Sequence, residues 1–136
     1  IIGEGEACIF DESANQWVGG MTEINHHSAY WIKIKTDLIE ENVSFHVLGF
    51  PLQEEIYYQL NEGYNLISYI ESDSVLVESA IPTEFHNNIT KIIGEGEACI
   101  FDESSNQWVG SLNYLRYGAG YWVETNEEIN FYWENP

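Results

Sequence analysis

Basic residues are scarce in this 136-residue sequence. Four Lys and Arg stand against 23 Asp and Glu, which gives a formal net charge of −19 at pH 7 and a pI near 4.1. Nucleic acids and anionic membrane surfaces bind proteins largely through Lys and Arg, so we expect neither as a partner. The sequence also contains no apolar run near the roughly 20 residues that a membrane-spanning helix needs, so we expect no membrane insertion.

Cysteine is nearly absent as well, with only Cys8 and Cys99. Both occupy the same position in two copies of one motif, which favours two small buried thiols; a reactive thiol or a disulfide is the alternative. The N-terminus lacks the pattern of a signal peptide and begins Ile1-Ile2 without Met, so we interpret the chain as a piece of a longer polypeptide. Hydrophobic residues still make up 44% of it, which predicts a folded protein.

A tandem repeat is the main feature of the sequence. Residues 1–19, IIGEGEACIFDESANQWVG, return as residues 92–110, with Ala14 against Ser105 as the only difference. The register continues beyond the motif to a Tyr-Trp pair in each copy, which is typical of a repeat protein.

The repeat sets the expected domain organisation and fold class. We predict the back half of a first repeat unit at 1–48, a linker at 49–55 and a complete second unit at 56–136. Short apolar alternations separated by glycine and acidic turns predict strands through most of the complete unit. We therefore expect a mainly β protein, built as small β-sandwich or barrel-like repeat units in tandem with one short helix per unit.

Two local patterns in the complete unit predict particular elements. Residues 56–60 and 64–70 have the alternation of a β-hairpin, with Gly63 at a positive-φ position of its turn. Asp73 and Ser74 are candidate caps for the short helix that follows them.

The repeated motif is predicted to be a strand with one bare face. Period-two alternation puts Gly94 and Gly96 on one face and Glu95 and Glu97 on the other. Glycine packs nothing itself, so we expect rings from the Tyr-Trp strand to cover this face in both copies. The predicted core residues are Gly3, Gly5, Tyr30, Trp31, Gly94, Gly96, Tyr121 and Trp122.

The paired glutamates are the one arrangement that suggests an enzyme. Glu95 and Glu97 on one strand face would lie about 6.5–7 Å apart, near the lower end of the carboxylate separation in inverting glycosidases. Nothing else in the sequence indicates a catalytic pocket. We therefore expect a solvated strand face and no enzymatic activity, with a carbohydrate-active hydrolase as the least favoured alternative.

Oxygen-bearing side chains alternate in the turn after each motif strand, as they do in calcium loops. A calcium loop also needs a glycine after the third ligand and a bidentate carboxylate at position twelve, where this chain has Thr22 and Asn113. We predict an ordinary polar turn and no cofactor, with calcium as the alternative. The candidate ligands are Asp11, Ser13, Asn15, Asp102, Ser104 and Asn106.

Histidine and aromatic residues add little chemistry but leave a binding role open. His26-His27 is replaced by Tyr117-Gly118 in the second copy and has no ligand at metal spacing, so we predict no transition-metal site. Five Trp and nine Tyr exceed the usual need of small cores. Exposed rings of this kind stack on sugars or form protein interfaces.

Four motifs in order give the second unit a family resemblance. They are GYNLIS at 63–68, IGEGEA at 93–98, WVGSL at 108–112 and GYWV at 120–123. Together they resemble tandem modules of large secreted or cell-surface proteins of marine bacteria and of structural proteins of marine phages. The resemblance covers the second unit almost entirely and the first from Ile1 to about Trp31. It implies an extracellular or virion-surface repeat without assigned catalytic residues.

These observations lead to a functional hypothesis. We expect a non-enzymatic extracellular structural or adhesion module, part of a larger cell-surface protein or of a virion appendage or decoration. Its expected partners are other repeat units of the same or neighbouring chains, a glycan or a surface protein. A glycan-binding module that uses exposed Trp and Tyr is the alternative.

Overall fold

The computed structural model describes residues 1–34, 56–71 and 73–134, and this part of the chain is mainly β, as predicted. The strands are β1 (Cys8–Asp11), β2 (Gln16–Gly19), β3 (Tyr58–Leu60), β4 (Gly63–Ser68), β5 (Val75–Leu76), β6 (Ile89–Ile93), β7 (Ala98–Asp102), β8 (Gln107–Gly110), β9 (Tyr114–Leu115), β10 (Gly120–Thr125) and β11 (Ile129–Phe131). Helical residues form α1 (Val77–Ala80) and a 3-10 turn (Thr83–Phe85). Within the described ranges no helix has the length and hydrophobicity of a membrane span. The predicted linker at 49–55 lies outside these residues.

Five antiparallel strands form the largest sheet, in the order β4-β10-β6-β7-β8. Along β10, Tyr121, Val123 and Thr125 are buried, whereas the residues between them are half-buried. This period of two is that of a strand with one face on the core. The alternation that predicted a strand here therefore also orients it.

Three two-stranded ladders accompany the sheet, namely β1–β2, β3–β11 and β5–β9. The ladders β3–β11 and β5–β9 contribute buried side chains to the same hydrophobic core as the sheet. Two buried rings share one acceptor, since the Tyr58 hydroxyl and the Trp133 indole N–H both donate to the Ser68 carbonyl at 2.9 Å. The most deeply buried side chains are Tyr69, Phe131, Leu60, Ile81, Ile89, Ile92, Leu115, Val77, Val123 and Cys99.

The predicted hairpin at 56–70 is wrong in its pairing, although both strands form. Strand β3 pairs with β11 and β4 pairs with β10, so the chain turns a corner between two ladders. The buried Asn65 side chain holds this corner by accepting from the Asn61 N–H at 2.9 Å and donating to the Asn61 carbonyl at 2.8 Å. These bonds replace those that a hairpin would supply. Gly63 has the predicted positive φ, at 98°.

The short helix is smaller than predicted and is not capped by a side chain. Helix α1 is a single turn, and its N-terminal flanking residue Leu76 makes no side-chain capping bond. Val75 and Leu76 instead form β5, and the β-branched Val75 favours a strand. The capping role predicted for Asp73 and Ser74 is therefore wrong.

The repeated glycine motif is a hairpin turn between β6 and β7 and not a continuous strand. The Gly94 N–H donates to the Glu97 carbonyl at 2.9 Å. Gly96 has a φ of 76°, a left-handed conformation that glycine adopts without steric cost. The prediction that Glu95 and Glu97 share a strand face is wrong, because the turn interrupts the alternation.

Tyrosine rings cover the first glycine of each motif, as predicted. A Cβ atom built on Gly94 would lie 3.0 Å from Cε1 of Tyr121, and one built on Gly3 would lie 3.0 Å from Cε1 of Tyr30. Both glycines are buried. Each ring therefore rests directly on glycine backbone.

The other residues predicted to lie in the core are exposed or only half-buried. Gly5 and Gly96 are exposed turn residues with open space where a side chain would lie, so their predicted core role is wrong. Trp31 is 43% exposed and is also not a core residue, since it pairs with Ile2 only through an isolated β-bridge. Trp122 is half-buried in β10.

The first copy lies against the outer edge of β4. The Leu66 N–H donates to the Glu4 carboxylate at 2.8 Å, and the Leu66 carbonyl accepts from the Ala29 N–H at 3.3 Å. A Cβ on Gly120 would lie 2.5 Å from Cβ of Ala29, so glycine permits this close approach. The contacts satisfy backbone groups that an edge strand leaves open.

Both cysteines are buried and free, as predicted. Burial raises the pKa of the Cys99 thiol to about 12. A thiol with so high a pKa stays protonated at neutral pH and is a poor nucleophile. Cys99 is therefore a core residue without reactive chemistry.

Candidate functional site

A cleft of about 270 Å³ lies between the first copy and the glycine turn of the second. One wall is formed by residues 29–32. The other is formed by the Gly94-to-Glu97 turn together with Arg116 and residues 119–121, and Leu66 of β4 also lines the cleft. The site exists because the first copy docks on β4, beside the turn that follows β6.

Aromatic side chains line both walls of the cleft, with Trp31 exposed and Tyr30 and Tyr121 anchored. The Tyr121 hydroxyl accepts from the Arg116 N–H at 2.8 Å, and the Tyr30 hydroxyl accepts from the Asn25 N–H at 2.7 Å. These bonds fix both tyrosines. Trp31 is 43% exposed, so its indole offers an apolar face to solvent in the cleft, which is the surface on which sugar rings and apolar groups stack.

The polar wall combines donors and acceptors. Nη2 of Arg116 lies 2.9 Å from Oε1 of Glu97, and the Arg116 side chain is two-thirds exposed. An exposed ion pair of this kind contributes at most about 1 kcal/mol to stability, so it is a weak structural device. Glu95 is exposed on the same turn. Guanidinium and carboxylate groups beside an apolar ring form a mixed surface suited to a polar ligand with an apolar face.

The six calcium candidates form two matching turns, one between β1 and β2 and one between β7 and β8. Oδ1 of Asp11 accepts from the Ser13 N–H at 2.9 Å and the Ser13 hydroxyl at 2.7 Å. Oδ1 of Asp102 does the same with Ser104, at 2.9 and 2.6 Å. Asn15, like Asn106, is left-handed, with φ of 50° and 54° respectively. These are Asx turns, in which the aspartate serves the local backbone.

Hydrogen bonds in these turns lower the pKa of both aspartates. The bond from the Ser13 hydroxyl is the largest cause for Asp11, and the bond from the Ser104 hydroxyl is the largest for Asp102. In the part of the chain that the structure describes, no three His, Cys, Asp or Glu residues lie close enough together to hold a metal ion. The expectation of no cofactor, with calcium as the alternative, stays a prediction.

The histidine pair of the first copy lies beside β4. The rings of His26 and His27 are 3.9 Å apart, and the His26 carbonyl accepts from the Ser68 hydroxyl at 3.2 Å. Burial is the main cause that lowers the pKa of His27, with a smaller contribution from the charge of His26. The pair therefore helps to place the first copy against the sheet.

None of the three comparisons with known proteins gives a match. The chain matches no protein-family model, no curated protein and no solved structure.

Sequence reasoning missed both the cleft and Arg116. One signal was available for the turn, since Gly-Glu-Gly between two apolar alternations is typical of a hairpin connection. The wall that 29–32 supplies had no local signal, because it depends on contacts such as Ala29 with Gly120 that join distant parts of the chain.

Proposed function

We propose that this protein is a non-enzymatic extracellular structural or adhesion module, built of tandem β units and belonging to a larger cell-surface protein or a virion appendage. The observation that carries the proposal is the equivalence of the two motif copies. Its partners are other repeat units of the same or neighbouring chains, or a surface protein.

The equivalence extends to individual hydrogen bonds. The Gly3 N–H donates to the Glu6 carbonyl at 2.9 Å, just as Gly94 donates to Glu97 at 2.9 Å. The ladders β1–β2 and β7–β8 also have the same register, residue for residue. A sequence that is repeated with its local geometry is typical of arrays in which each unit contacts its neighbours. Stacked units of this kind create extended binding surfaces.

Charge supports an extracellular setting. The net charge of −19 keeps an aromatic-rich repeated chain soluble and opposes edge-to-edge pairing, and dissolved salt screens the resulting repulsion. We expect the melting temperature to rise by several degrees, on the order of 5 °C, between 10 mM and 500 mM NaCl. A second series compares CaCl₂ with NaCl at equal ionic strength. An unchanged melting temperature in both series would count against the proposal.

The cleft favours a second candidate, a glycan-binding module. Trp31 supplies an exposed ring, and Arg116 with Glu95 supplies groups that bond to sugar hydroxyls. The test is a glycan array probed with the native chain, with Trp31→Ala and with Trp17→Ala. Trp17 is the matched control because it is 56% exposed and lies outside the cleft. Binding that Trp31→Ala abolishes and Trp17→Ala preserves would favour this candidate, and absence of binding by the native chain would remove it.

A further inference from the structure

The first copy carries an open apolar groove of about 200 Å³. Its lining includes Ile1, Cys8, Trp17, Met21 and Ile24. Cys8 and Met21 form the buried floor, whereas Trp17 is 56% exposed and Ile24 is 53% exposed. We call this surface the acceptor groove.

The same groove in the second copy is filled. Leu115, which corresponds to Ile24, is completely buried, and Leu112, which corresponds to Met21, is 3% exposed. Strand β5 pairs with β9 and places Val75 opposite Leu115, and the Val77 N–H donates to the Asn113 carbonyl at 3.0 Å. Helix α1 then packs on β8 and β9. The covering segment is therefore a short strand followed by one apolar helical turn.

Aromatic packing shows the same difference between the copies. In the second copy, the tilted rings of Phe101 and Trp108 lie 5.4 Å apart, and the His86 ring lies 5.0 Å from Phe101 and 6.1 Å from Trp108. In the first copy, the Phe10 and Trp17 rings meet edge to face with their centroids 5.5 Å apart. Both of these rings remain exposed, Phe10 at 43% and Trp17 at 56%.

We infer that the acceptor groove binds a segment with the chemistry of residues 75–86, supplied by a neighbouring repeat unit of the same kind. The segment adds a short antiparallel strand to the edge at Glu23-Ile24 and inserts an apolar turn over Cys8 and Met21. The occupant follows from an interface already present in this chain. Ile1, Cys8 and Trp17 are identical to their counterparts at the filled groove, and Met21 and Ile24 keep the apolar character of Leu112 and Leu115. The inference rests on the proposed arrangement of units in series.

One difference between the copies gives the acceptor groove a charge preference for its donor segment. Tyr114, which lies opposite Leu76 in the β5–β9 ladder, is replaced by Glu23 at the acceptor groove. Oppositely charged residues directly across an antiparallel pair attract each other. A donor segment with a basic residue at the position of Leu76 therefore suits the acceptor groove better than the native segment of residues 75–86.

The test measures binding of a synthetic peptide of residues 73–91 to the full chain, by calorimetry and by the NMR shift of the Trp17 indole N–H. A free peptide loses conformational entropy on binding, so we expect a dissociation constant of about 10⁻⁴ M. The peptide with Leu76→Lys should bind roughly two- to five-fold more tightly. The peptide with Val77→Asp should not bind, and this variant leaves the fold of the chain untouched.

Two chain variants locate the site. Ile24→Asp lies in the acceptor groove and should weaken binding at least about ten-fold, because it buries a charge. Ile9→Asp makes the same change at a residue that is 69% exposed and should alter affinity less than about two-fold. Absence of binding at millimolar peptide, or equal binding by the native chain and Ile24→Asp, would overturn the inference.

Two further measurements distinguish a donated segment from a second copy in the acceptor groove, and distinguish failure of the inference from failure of the proposed function. If the chain without peptide forms dimers that Ile24→Asp dissociates but the peptide does not, the occupant is another surface of a second copy and the inference is wrong. The salt dependence of melting does not involve the acceptor groove. A failed peptide experiment with a normal salt response therefore contradicts the inference alone, whereas the reverse result contradicts the proposed function.

Discussion

At the scale of single residues, the contact between glycine and a tyrosine ring is the most specific feature of the motif. We predict that Gly94→Ala destabilises the protein by about 1–3 kcal/mol, because its Cβ would lie 3.0 Å from the Tyr121 ring, which is anchored by Arg116. Urea denaturation measures the change. The control is Gly20→Ala, since no atom lies within 4 Å of the Cβ there. Equal stability of the two variants would contradict the packing described here.

The acidic turns give a residue-scale prediction about pH. Hydrogen bonds lower the pKa of Asp102 in the folded state, and the bond from the Ser104 hydroxyl is the largest cause. The charged Asp102 therefore stabilises the fold above the unfolded pKa of about 3.9. This stabilisation is lost as the pH falls through the folded pKa. We expect Asp102→Asn to lower the melting temperature at pH 7 and to match the native chain near pH 2. Glu103→Gln, at the exposed neighbouring position, is the control. A difference that persists unchanged at pH 2 would contradict this account.

At the scale of elements, the docking of the first copy on β4 gives two glutamates at equivalent positions different surroundings. Glu4 accepts from the Leu66 N–H at 2.8 Å, whereas Glu95 is exposed in the cleft. We predict that Glu4→Ala destabilises the protein by about 1 kcal/mol and that Glu95→Ala leaves its stability within about 0.5 kcal/mol of the native value. Chemical denaturation of both variants is the measurement. The reverse order of stability would show that the first copy docks elsewhere.

Elements also show what could be predicted from the sequence. The alternation in β10 and the strands flanking the acidic turns were predictable, because a period of two with one buried face is a local property. The glycine motif was predicted as a strand because Gly94 and Gly96 fit the same period, although the positive φ of Gly96 makes it a turn. The pairing of β3 with β11 was not predictable. It depends on Asn65 turning the chain and on a core shared with distant strands.

At the scale of the whole molecule, the candidate site and the acceptor groove both arise from long-range placement. The cleft forms where residues 29–32 meet the turn at Gly94. The acceptor groove is open because the first copy has no equivalent of β5 and α1 in the described part of the chain. The placement of residues 29–32 has no local signature, so the sequence alone predicted the repeat but not the cleft between its copies.

The central claim is that the two copies of the motif are the same building block, one covered and one open. Residue-resolved amide hydrogen exchange by NMR tests it most directly, at Gly3 and Asn25 in the first copy and at Gly94 and Arg116 in the second. We predict protection at all four amides, with lower protection in the first copy because its groove is open. Exchange of the Gly3 and Asn25 amides at the rate of an unfolded chain, with Gly94 and Arg116 protected, would contradict the claim.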